Sequence, residues 1–369
     1  MRIIKKVIRK FQQQRKHLGR YGRYLWLYGT HTHPATNKPV AYFYLTQSGS
    51  RYPYNLVALF QKAGYRIYLH HRYSFIIGLG MYSQKLLALP ALRLCLKKPS
   101  NCELFVTDDN QLYNRESNTA KILIDYDVFA PPQPNICYLS VSFMMHPTIY
   151  QNEAVYEKID EYRSQERQMR VLFAGNAKAE SYIEGKEYIT SLFKKNFRPD
   201  LISYVKQCLP TEQQSNSWHE GQDRSRTFTL LPRVPGPIWL ATLARSDFFF
   251  APCGIYMPFS HNIVEAMAVG TIPITEYGEL FAPPLVDGET CLMYRTKSEA
   301  VEVIRKALAM PAPDIQRLRD NVIDYYIAFL QPDRIKERLT KLACQQVVLP
   351  FNIEKKSVDL LANQHKGVF

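Results

Sequence analysis

The sequence predicts an α/β protein with two domains, each built on a parallel sheet. Strand-like and helix-like segments alternate along the chain, which is the pattern of parallel strands joined by helical crossovers. A chain of 369 residues is long enough for two domains with separate cores. Hydrophobic residues make up 46% of the chain and charged residues 22%, as in an ordinary globular protein. Because such sheets bind ligands where their strands end, we expect functional residues to follow the strands directly.

Apolar, aromatic-rich runs predict the strands of a first domain at residues 39–150. The run at 40–45 predicts the first strand, and the helix predicted at 54–62 ends before Gly64. Further strands are predicted at 66–70, 102–107, 121–125 and 136–143. Aspartates lie at the ends of two of these strands, where a parallel sheet presents its ligand-binding groups.

A second domain is predicted at residues 169–345, after a connector at 151–168 whose alternating charges indicate helix. A buried strand opens this domain, and two amphipathic helices are predicted near its end, at 299–309 and 315–330. A short final helix is predicted at 357–362. The order of these elements predicts a second parallel sheet covered by helices.

The most informative stretch lies at residues 258–274 and reads as a loop, a short helix and a buried strand. Ser260 is a good N-cap for the helix, because its hydroxyl can accept from an early helix N–H. His261, Asn262 and Glu265 then share one face, since residues three and four apart are neighbours on a helix. The free N–H groups at the helix start suit an anion. Glu265 lies one turn further in, where it can accept from a sugar hydroxyl.

This stretch resembles the nucleotide-sugar site of GT-B glycosyltransferases, in which a helix N-terminus holds the donor diphosphate and a glutamate holds the ribose. The run at 171–176 resembles the strand and turn that open the family's C-terminal domain. The runs at 234–252 and 287–294 resemble its helix and strand before the donor loop and its later Asp-Gly turn. The Pro-Phe-Ser and Glu-Ala pairs are closest to the exostosin-like branch and to family-1-type members. The resemblance covers roughly residues 169–310, about 40% of the chain.

The resemblance implies two Rossmann-like domains whose parallel sheets face a central cleft, with residues 346–369 crossing back to the first domain. The donor would bind the C-terminal domain as a UDP- or GDP-sugar, without a metal or another cofactor, and Glu265 would face the cleft. The donor-binding residues implied are Gly175, Asn176, Lys178, Arg233, Pro258, Phe259, Ser260, His261, Asn262 and Glu265.

The sequence departs from the family pattern at two places. Met257 stands where many retaining members have a second glutamate, eight residues before the one that matches Glu265. Asn176 stands where an arginine is common, so Lys178 or Lys186 must supply the phosphate-binding cation. These departures favour an inverting mechanism.

The catalytic base is expected from the acceptor-side domain. We select Asp108, which ends a predicted strand, and His146, which follows another and precedes a proline. Both also fit an ordinary role in a turn or a cap. The other candidates are His70, His71, Asp109, Asp125 and Asp127.

The formal net charge of +14 is concentrated at the N-terminus, in a basic segment at residues 1–38. Residues 1–26 contain nine Lys or Arg and no acidic residue, and Ile4, Val7, Ile8 and Phe11 form a helical apolar stripe. The segment fits a helix on an anionic membrane surface or a solvated basic tail. It has no apolar run of the length that a signal peptide or a membrane span needs, and no nucleic-acid-binding motif accompanies the charge.

Seven dispersed cysteines without metal-ligand spacing favour reduced thiols and a cytoplasmic protein, peripheral to the inner face of the membrane if residues 1–26 bind it. We expect a hexosyltransferase-type enzyme that transfers a sugar to a hydroxyl of a glycan or lipid-linked acceptor, as in polysaccharide biosynthesis. Two alternatives remain: a nucleotide-sugar epimerase on the same scaffold, and a non-catalytic nucleotide-sugar-binding subunit.

Overall fold

The computed structural model describes residues 2–28, 37–47, 51–78, 81–90, 92–129, 133–139, 144–219, 223–334, 337–338 and 346–365. The chain forms two compact units. The first combines Met1–Asp125, Pro132–Leu139 and Ile335–Leu349, and the second combines Tyr126–Pro131, Ser140–Arg334 and Pro350–Phe369. The two units are therefore interleaved along the chain, and the domain boundaries derived from the sequence stay predictions.

The strands are β1 (Val40–Tyr44), β2 (Arg66–His70), β3 (Leu92–Cys95), β4 (Cys102–Thr107), β5 (Ala120–Asp125), β6 (Ile136–Tyr138), β7 (Met169–Ala174), β8 (Gln214–Ser215), β9 (Arg224–Leu231), β10 (Ser246–Ala251), β11 (Ile272–Thr275), β12 (Leu292–Met293) and β13 (Gln346–Pro350). The α-helices are α1 (Arg2–Tyr28), α2 (Tyr52–Lys62), α3 (Tyr73–Gly78), α4 (Met81–Leu87), α5 (Asn110–Arg115), α6 (Pro147–Gln151), α7 (Glu153–Tyr156), α8 (Ile159–Arg163), α9 (Arg198–Cys208), α10 (Gly236–Ala244), α11 (His261–Ala268), α12 (Lys297–Ala309), α13 (Ala312–Tyr325) and α14 (Lys355–His365).

The first unit is built on a sheet with the strand order β3-β2-β1-β4-β5-β13-β6. The interior strand β1 pairs in parallel with β2 and β4, and Phe43 on it is fully buried. Such apolar strands form because helices cover both faces of a parallel sheet. The strands predicted at 40–45, 66–70, 102–107 and 121–125 are confirmed by β1, β2, β4 and β5.

The second unit is built on a sheet with the strand order β12-β11-β10-β7-β9-β8. β10 is buried along its whole length and pairs in parallel with β7 and β11. The strand order reverses at β7, which is where open parallel sheets of this kind bind ligands. The predicted fold class, two Rossmann-like α/β units with parallel sheets, is confirmed.

The N-terminal basic segment is helical as α1, whose last turns pack on the first unit. Tyr24 is 4% exposed, and the Tyr21 hydroxyl lies 2.7 Å from the His71 Nε2 atom. The outer side of the same turns exposes Leu18 and Trp26, the latter at 76%. Among the described residues, no helix is long and apolar enough to cross a membrane.

The described cysteines differ in oxidation state. Free thiols are present at Cys95, Cys102, Cys208, Cys253 and Cys291. Cys137, at the centre of β6, is disulfide-bonded. The expectation of reduced thiols throughout is therefore wrong at Cys137.

Candidate functional site

The carboxyl ends of four adjacent strands bring the sequence-predicted donor residues to one edge of the second sheet. β7 and β9 end side by side, because Ala174 pairs with Leu231, and β10 and β11 end together, because Ala251 pairs with Thr275. The segments that follow these strands therefore emerge at the same edge. They contain the Gly175–Asn176 turn, Arg233 and the loop at residues 252–260.

The turn after β7 is fixed by the Asn176 side chain. Gly175 has φ of +147°, a conformation that residues with a side chain rarely adopt. The Asn176 amide oxygen accepts from the Lys178 N–H at 2.9 Å, and its Nδ2 donates to the Ser181 hydroxyl at 2.7 Å. The Lys178 side chain is left exposed, as is Arg233 after β9. Two exposed cations therefore follow neighbouring strands at this edge.

The loop at residues 252–260 is tightly packed against its surroundings. The Gly254 N–H donates to the Pro258 carbonyl at 3.0 Å, and a Cβ at Gly254 would lie 2.5 Å from the Met257 carbonyl oxygen. A Cβ at Gly185 would lie 1.8 Å from the Ile255 carbonyl oxygen. Both positions therefore require glycine, and the path of the loop is rigidly defined.

Arg198 forms hydrogen bonds with the backbone at the beginning of this loop. It is 8% exposed, and its guanidinium donates to the Pro252 and Cys253 carbonyls at 2.8 and 2.7 Å. Its third nitrogen donates to the Tyr182 hydroxyl at 2.7 Å. Arg198 is not predicted from the sequence, because the residues it joins are far apart in the chain.

The predicted start of α11 is confirmed at Ser260. Its backbone is extended, and its hydroxyl accepts from the Asn262 N–H at 3.4 Å. His261 and Asn262 are half-buried, whereas Pro258 and Phe259 before the cap are buried. The helix thus begins at the edge of the sheet with its first N–H groups directed away from the helix body.

Phe259 anchors the approach to this helix in the core. Its ring contacts the rings of Tyr277 and Phe281 edge to face, with centroids 5.6 Å apart in each case. The Phe259 side chain thus fixes the end of the 252–260 loop against the core.

Glu265 is buried rather than facing an open cleft, and the expectation from sequence is wrong on that point. Only 1% of the surface of Glu265 is exposed to solvent. One carboxylate oxygen accepts from the His146 backbone N–H at 2.7 Å, and the other accepts from the Trp239 indole N–H at 2.5 Å. Glu265 therefore joins α11 to α10 and to the segment that precedes α6.

His146 lies beside the start of α11. Its ring is 5.3 Å from the His261 ring, centroid to centroid, at 60°. His146 also caps α6, since its Nδ1 accepts from the Thr148 N–H. The structure places His146 in the second unit, whereas the sequence analysis assigned it to the acceptor-side domain.

Asp108, the other candidate base, organises the first unit at the end of β4. Its two carboxylate oxygens accept from the Thr46 and Gln47 N–H groups at 2.7 and 3.0 Å. Asp109 next to it caps α5. The structure thus gives Asp108 a role in fixing the turn after β1, and a catalytic role stays a prediction.

A second buried carboxylate, Glu276, follows β11 at the same edge as the predicted site. It accepts two hydrogen bonds from Asn196 at 2.8 Å and one from the Cys253 thiol at 3.3 Å. Burial raises the pKa of Glu276, and the bonds from Asn196 oppose that shift. Burial likewise raises the pKa of the Cys253 thiol, so the thiol is protonated and donates. Among the described residues, no group of three or more His, Cys, Asp or Glu is placed to hold a metal ion.

No family model and no curated protein matches the chain, whereas several solved structures are similar to it. HepE from Anabaena, solved with UDP and glucose, is 13% identical with a TM-score of 0.43, over 82% of this chain and 100% of HepE. A glycosyltransferase from Rickettsia africae is 9% identical with a TM-score of 0.45, over 83% and 98% of the two chains. Sucrose-phosphate synthase from Thermosynechococcus elongatus is 11% identical with a TM-score of 0.41, over 83% and 98%.

Proposed function

We propose that this chain is a glycosyltransferase that moves a sugar from a UDP- or GDP-sugar to a hydroxyl of a glycan or lipid-linked acceptor. The observation that carries the proposal is the start of α11, capped by Ser260 at the strand-order reversal of the second sheet. Lys178 and Arg233 are exposed at the same edge. Free helix N–H groups together with nearby cations suit a diphosphate.

In this proposal the donor diphosphate accepts from the Ser260 hydroxyl and from the N–H groups of His261 and Asn262. Lys178 and Arg233 supply the positive charge. The Gly175–Asn176 turn lets the backbone approach the phosphates, and Pro258 and Phe259 fix the loop that carries the cap. The first unit takes the acceptor.

Glu265 is proposed to bind the donor ribose. A carboxylate oxygen can accept more than one hydrogen bond, so the bonds from His146 and Trp239 are compatible with a further one from a ribose hydroxyl. Because Glu265 is 1% exposed, a contact between its carboxylate and the ribose requires the side chains that cover it to move when the donor binds.

The proposed reaction is inverting and independent of a metal. A base removes the proton of the acceptor hydroxyl, the oxygen attacks the anomeric carbon, and the bond to the diphosphate breaks. The N–H groups of α11 and the two cations stabilise the leaving diphosphate. His146 is supported as the base by its place beside His261, with Asp108 as the alternative. Met257 leaves the loop without the second carboxylate of retaining members.

A peripheral attachment to an anionic membrane, on its inner face, is also proposed. It is supported by α1, whose first 26 residues carry nine cations and no acid, and by the exposed Leu18 and Trp26. An enzyme of polysaccharide biosynthesis at that surface would meet a lipid-linked acceptor directly.

A thermal-shift screen against UDP, GDP, CMP and their sugars tests the proposal, because a ligand of the folded state raises its stability. We expect one nucleoside diphosphate and its sugar to raise the Tm. Arg233→Gln should weaken that response, whereas Arg226→Gln, an exposed cation within β9, should not. No response to any nucleotide would refute a nucleotide-sugar enzyme. Conversion of the donor sugar without release of nucleotide would indicate an epimerase.

A further inference from the structure

A half-buried arginine, Arg72, lies at the carboxyl edge of the first sheet. Arg72 lies two residues beyond β2, and its guanidinium carbon is 5.2 Å from the centroid of the Tyr44 ring at the end of β1. Its Nη1 atom is buried and has no hydrogen-bond partner in the part of the chain that the structure describes. Among the described residues, no carboxylate forms an ion pair with Arg72.

The positive charge of Arg72 is poorly compensated by these contacts. The face of a tyrosine ring attracts a guanidinium only weakly at exposed sites, and somewhat more strongly when water is excluded. A buried polar group without a hydrogen bond costs more than that, and a charged one more again. An oxyanion is the partner that suits a planar guanidinium, since its oxygens accept two parallel N–H bonds.

The neighbours of Arg72 add donors rather than negative charge. The His70 ring lies against Tyr44, with centroids 4.7 Å apart, and its Nδ1 is 2.8 Å from the Tyr42 hydroxyl. Burial first, and then the charges of Arg72 and His71, lower the pKa of His70. A neutral imidazole can still donate one N–H to an anion. The Asp108 carboxylate, at the end of β4, accepts from the Thr46 and Gln47 N–H groups.

The basic helix α1 reaches the same edge. Tyr21 of α1 contacts His71, which directly precedes Arg72, through the 2.7 Å bond between its hydroxyl and Nε2. Its ring also packs edge to face on Tyr73, 4.8 Å away. The uncompensated arginine therefore lies next to the helix that we propose to rest on an anionic membrane.

We propose that Arg72, together with His70 and Tyr44, forms an oxyanion subsite that takes a phosphate group of the acceptor. The assignment of the phosphate to the acceptor rests on the proposed function, whereas the binding of an oxyanion at Arg72 does not. The phosphate is carried either by a lipid or by a soluble phosphate ester, and the experiment separates the two.

The test compares Arg72→Gln with Arg66→Gln in the full-length protein. Arg66 is a matched control, because its guanidinium lies 5.8 Å from the Tyr68 ring and its Nε is also buried without a partner. It lies at the opposite end of the same strand. Both variants also carry Arg233→Gln and Lys178→Gln, which weaken phosphate binding in the second unit.

The readout is the rise of Tm with inorganic phosphate at constant ionic strength. We expect Arg72→Gln to weaken the apparent phosphate affinity about tenfold, since hydrogen bonds to a charged group are lost, and Arg66→Gln to leave it unchanged. Equal phosphate responses in the two variants would overturn the subsite. This outcome is independent of the nucleotide screen, whose failure would refute the proposed function alone.

Vesicle sedimentation identifies the source of the phosphate. The probes are phosphatidylcholine vesicles containing phosphatidic acid, which presents a phosphate monoester, or phosphatidylglycerol at equal charge. If the phosphate is lipid-borne, Arg72→Gln should reduce binding to phosphatidic acid more than to phosphatidylglycerol. If only the titration with soluble phosphate responds to Arg72→Gln, the subsite takes a soluble phosphate ester.

Discussion

Glu265 accepts from two donors that come from different parts of the second unit, the His146 N–H and the Trp239 indole. Glu265→Ala would leave both without an acceptor in a buried place. We expect the free energy of unfolding to fall by about 2–6 kcal/mol, because two donors lose their acceptor and each unsatisfied buried donor costs about 1–3 kcal/mol. Urea denaturation of the variant and the wild type measures this difference. A stability unchanged within error would contradict a role for Glu265 in holding the fold.

Trp239→Phe isolates one of these two bonds, since it keeps an aromatic ring to pack on Phe249 and removes the indole donor. Alone it should lower the free energy of unfolding by about 1.5–3 kcal/mol, the range for a hydrogen bond to a charged group. In combination with Glu265→Ala its further cost should be smaller, because the bond is already lost and the residues are coupled. Strict additivity in this double-mutant cycle would show that the two side chains do not interact.

The exposed cations Lys178 and Arg233 predict which part of a nucleotide dominates binding. A nucleoside diphosphate should bind at least about tenfold more tightly than the corresponding nucleoside, because charge-assisted hydrogen bonds are the strong ones. Calorimetric titration of UDP against uridine, or of GDP against guanosine, measures the ratio. Equal affinities for diphosphate and nucleoside would argue against a diphosphate site at the start of α11.

At the scale of single elements, the loop at residues 252–260 depends on two close backbone approaches. Gly185→Ala would place a Cβ 1.8 Å from the Ile255 carbonyl oxygen, and Gly254→Ala would place one 2.5 Å from that of Met257. We expect each to lower the free energy of unfolding by about 3 kcal/mol, the upper end for overpacking. Gly236→Ala, whose Cβ would meet nothing within 4 Å, is the matched control. If all three variants have the same Tm, the loop is not held as described.

Several elements could be predicted from local pattern and several could not. The run at 40–45 is apolar throughout and is bounded by turn residues, so β1 was accessible from sequence. β9 was missed because its first half, Arg-Ser-Arg-Thr, reads as a polar loop, although Phe228 and Thr229 further along are buried. α9 was missed because a proline in its first turn resembles a loop signal, whereas that position tolerates proline.

Some features of the candidate site could likewise be predicted from local pattern, and others could not. The cap at Ser260 and the helix after it follow from local rules, and the structure confirms them. The bonds of Glu265 to Trp239 and His146 depend on tertiary packing across 26 and 119 positions. No local pattern carries such contacts, which is why the carboxylate was expected to be exposed.

For the whole molecule, the charge of α1 predicts association with anionic membranes. Deleting residues 1–26 is a poor test, since Tyr24 is 4% exposed and its loss would open the first unit. Replacing the exposed Arg15, Lys16 and Arg23 by glutamate keeps that packing. Each cation near an anionic surface contributes about 1 kcal/mol, so the triple variant should no longer sediment with anionic vesicles. Vesicles without net charge are the control.

Salt provides a second check on the same association. Wild-type binding to anionic vesicles should weaken as salt rises, because the screening length falls to about 8 Å at physiological ionic strength. Binding that does not change with salt, or that the triple variant retains, would assign attachment to the apolar residues Leu18 and Trp26 instead of the charges.

The place of β13 in the first sheet has a consequence for synthesis on the ribosome. This strand lies between β5 and β6, pairs with Cys137 through Val347, and is tied to Tyr113 by a 3.2 Å bond. It is translated only after the whole of the second sheet has left the exit tunnel. The second sheet, whose last strand in the chain is β12, should therefore become protease-resistant before the first sheet is complete, although most of the first sheet precedes it in the chain. Nascent chains stalled before residue 346 would carry a first sheet that is still open between β5 and β6, a site that chaperones can recognise.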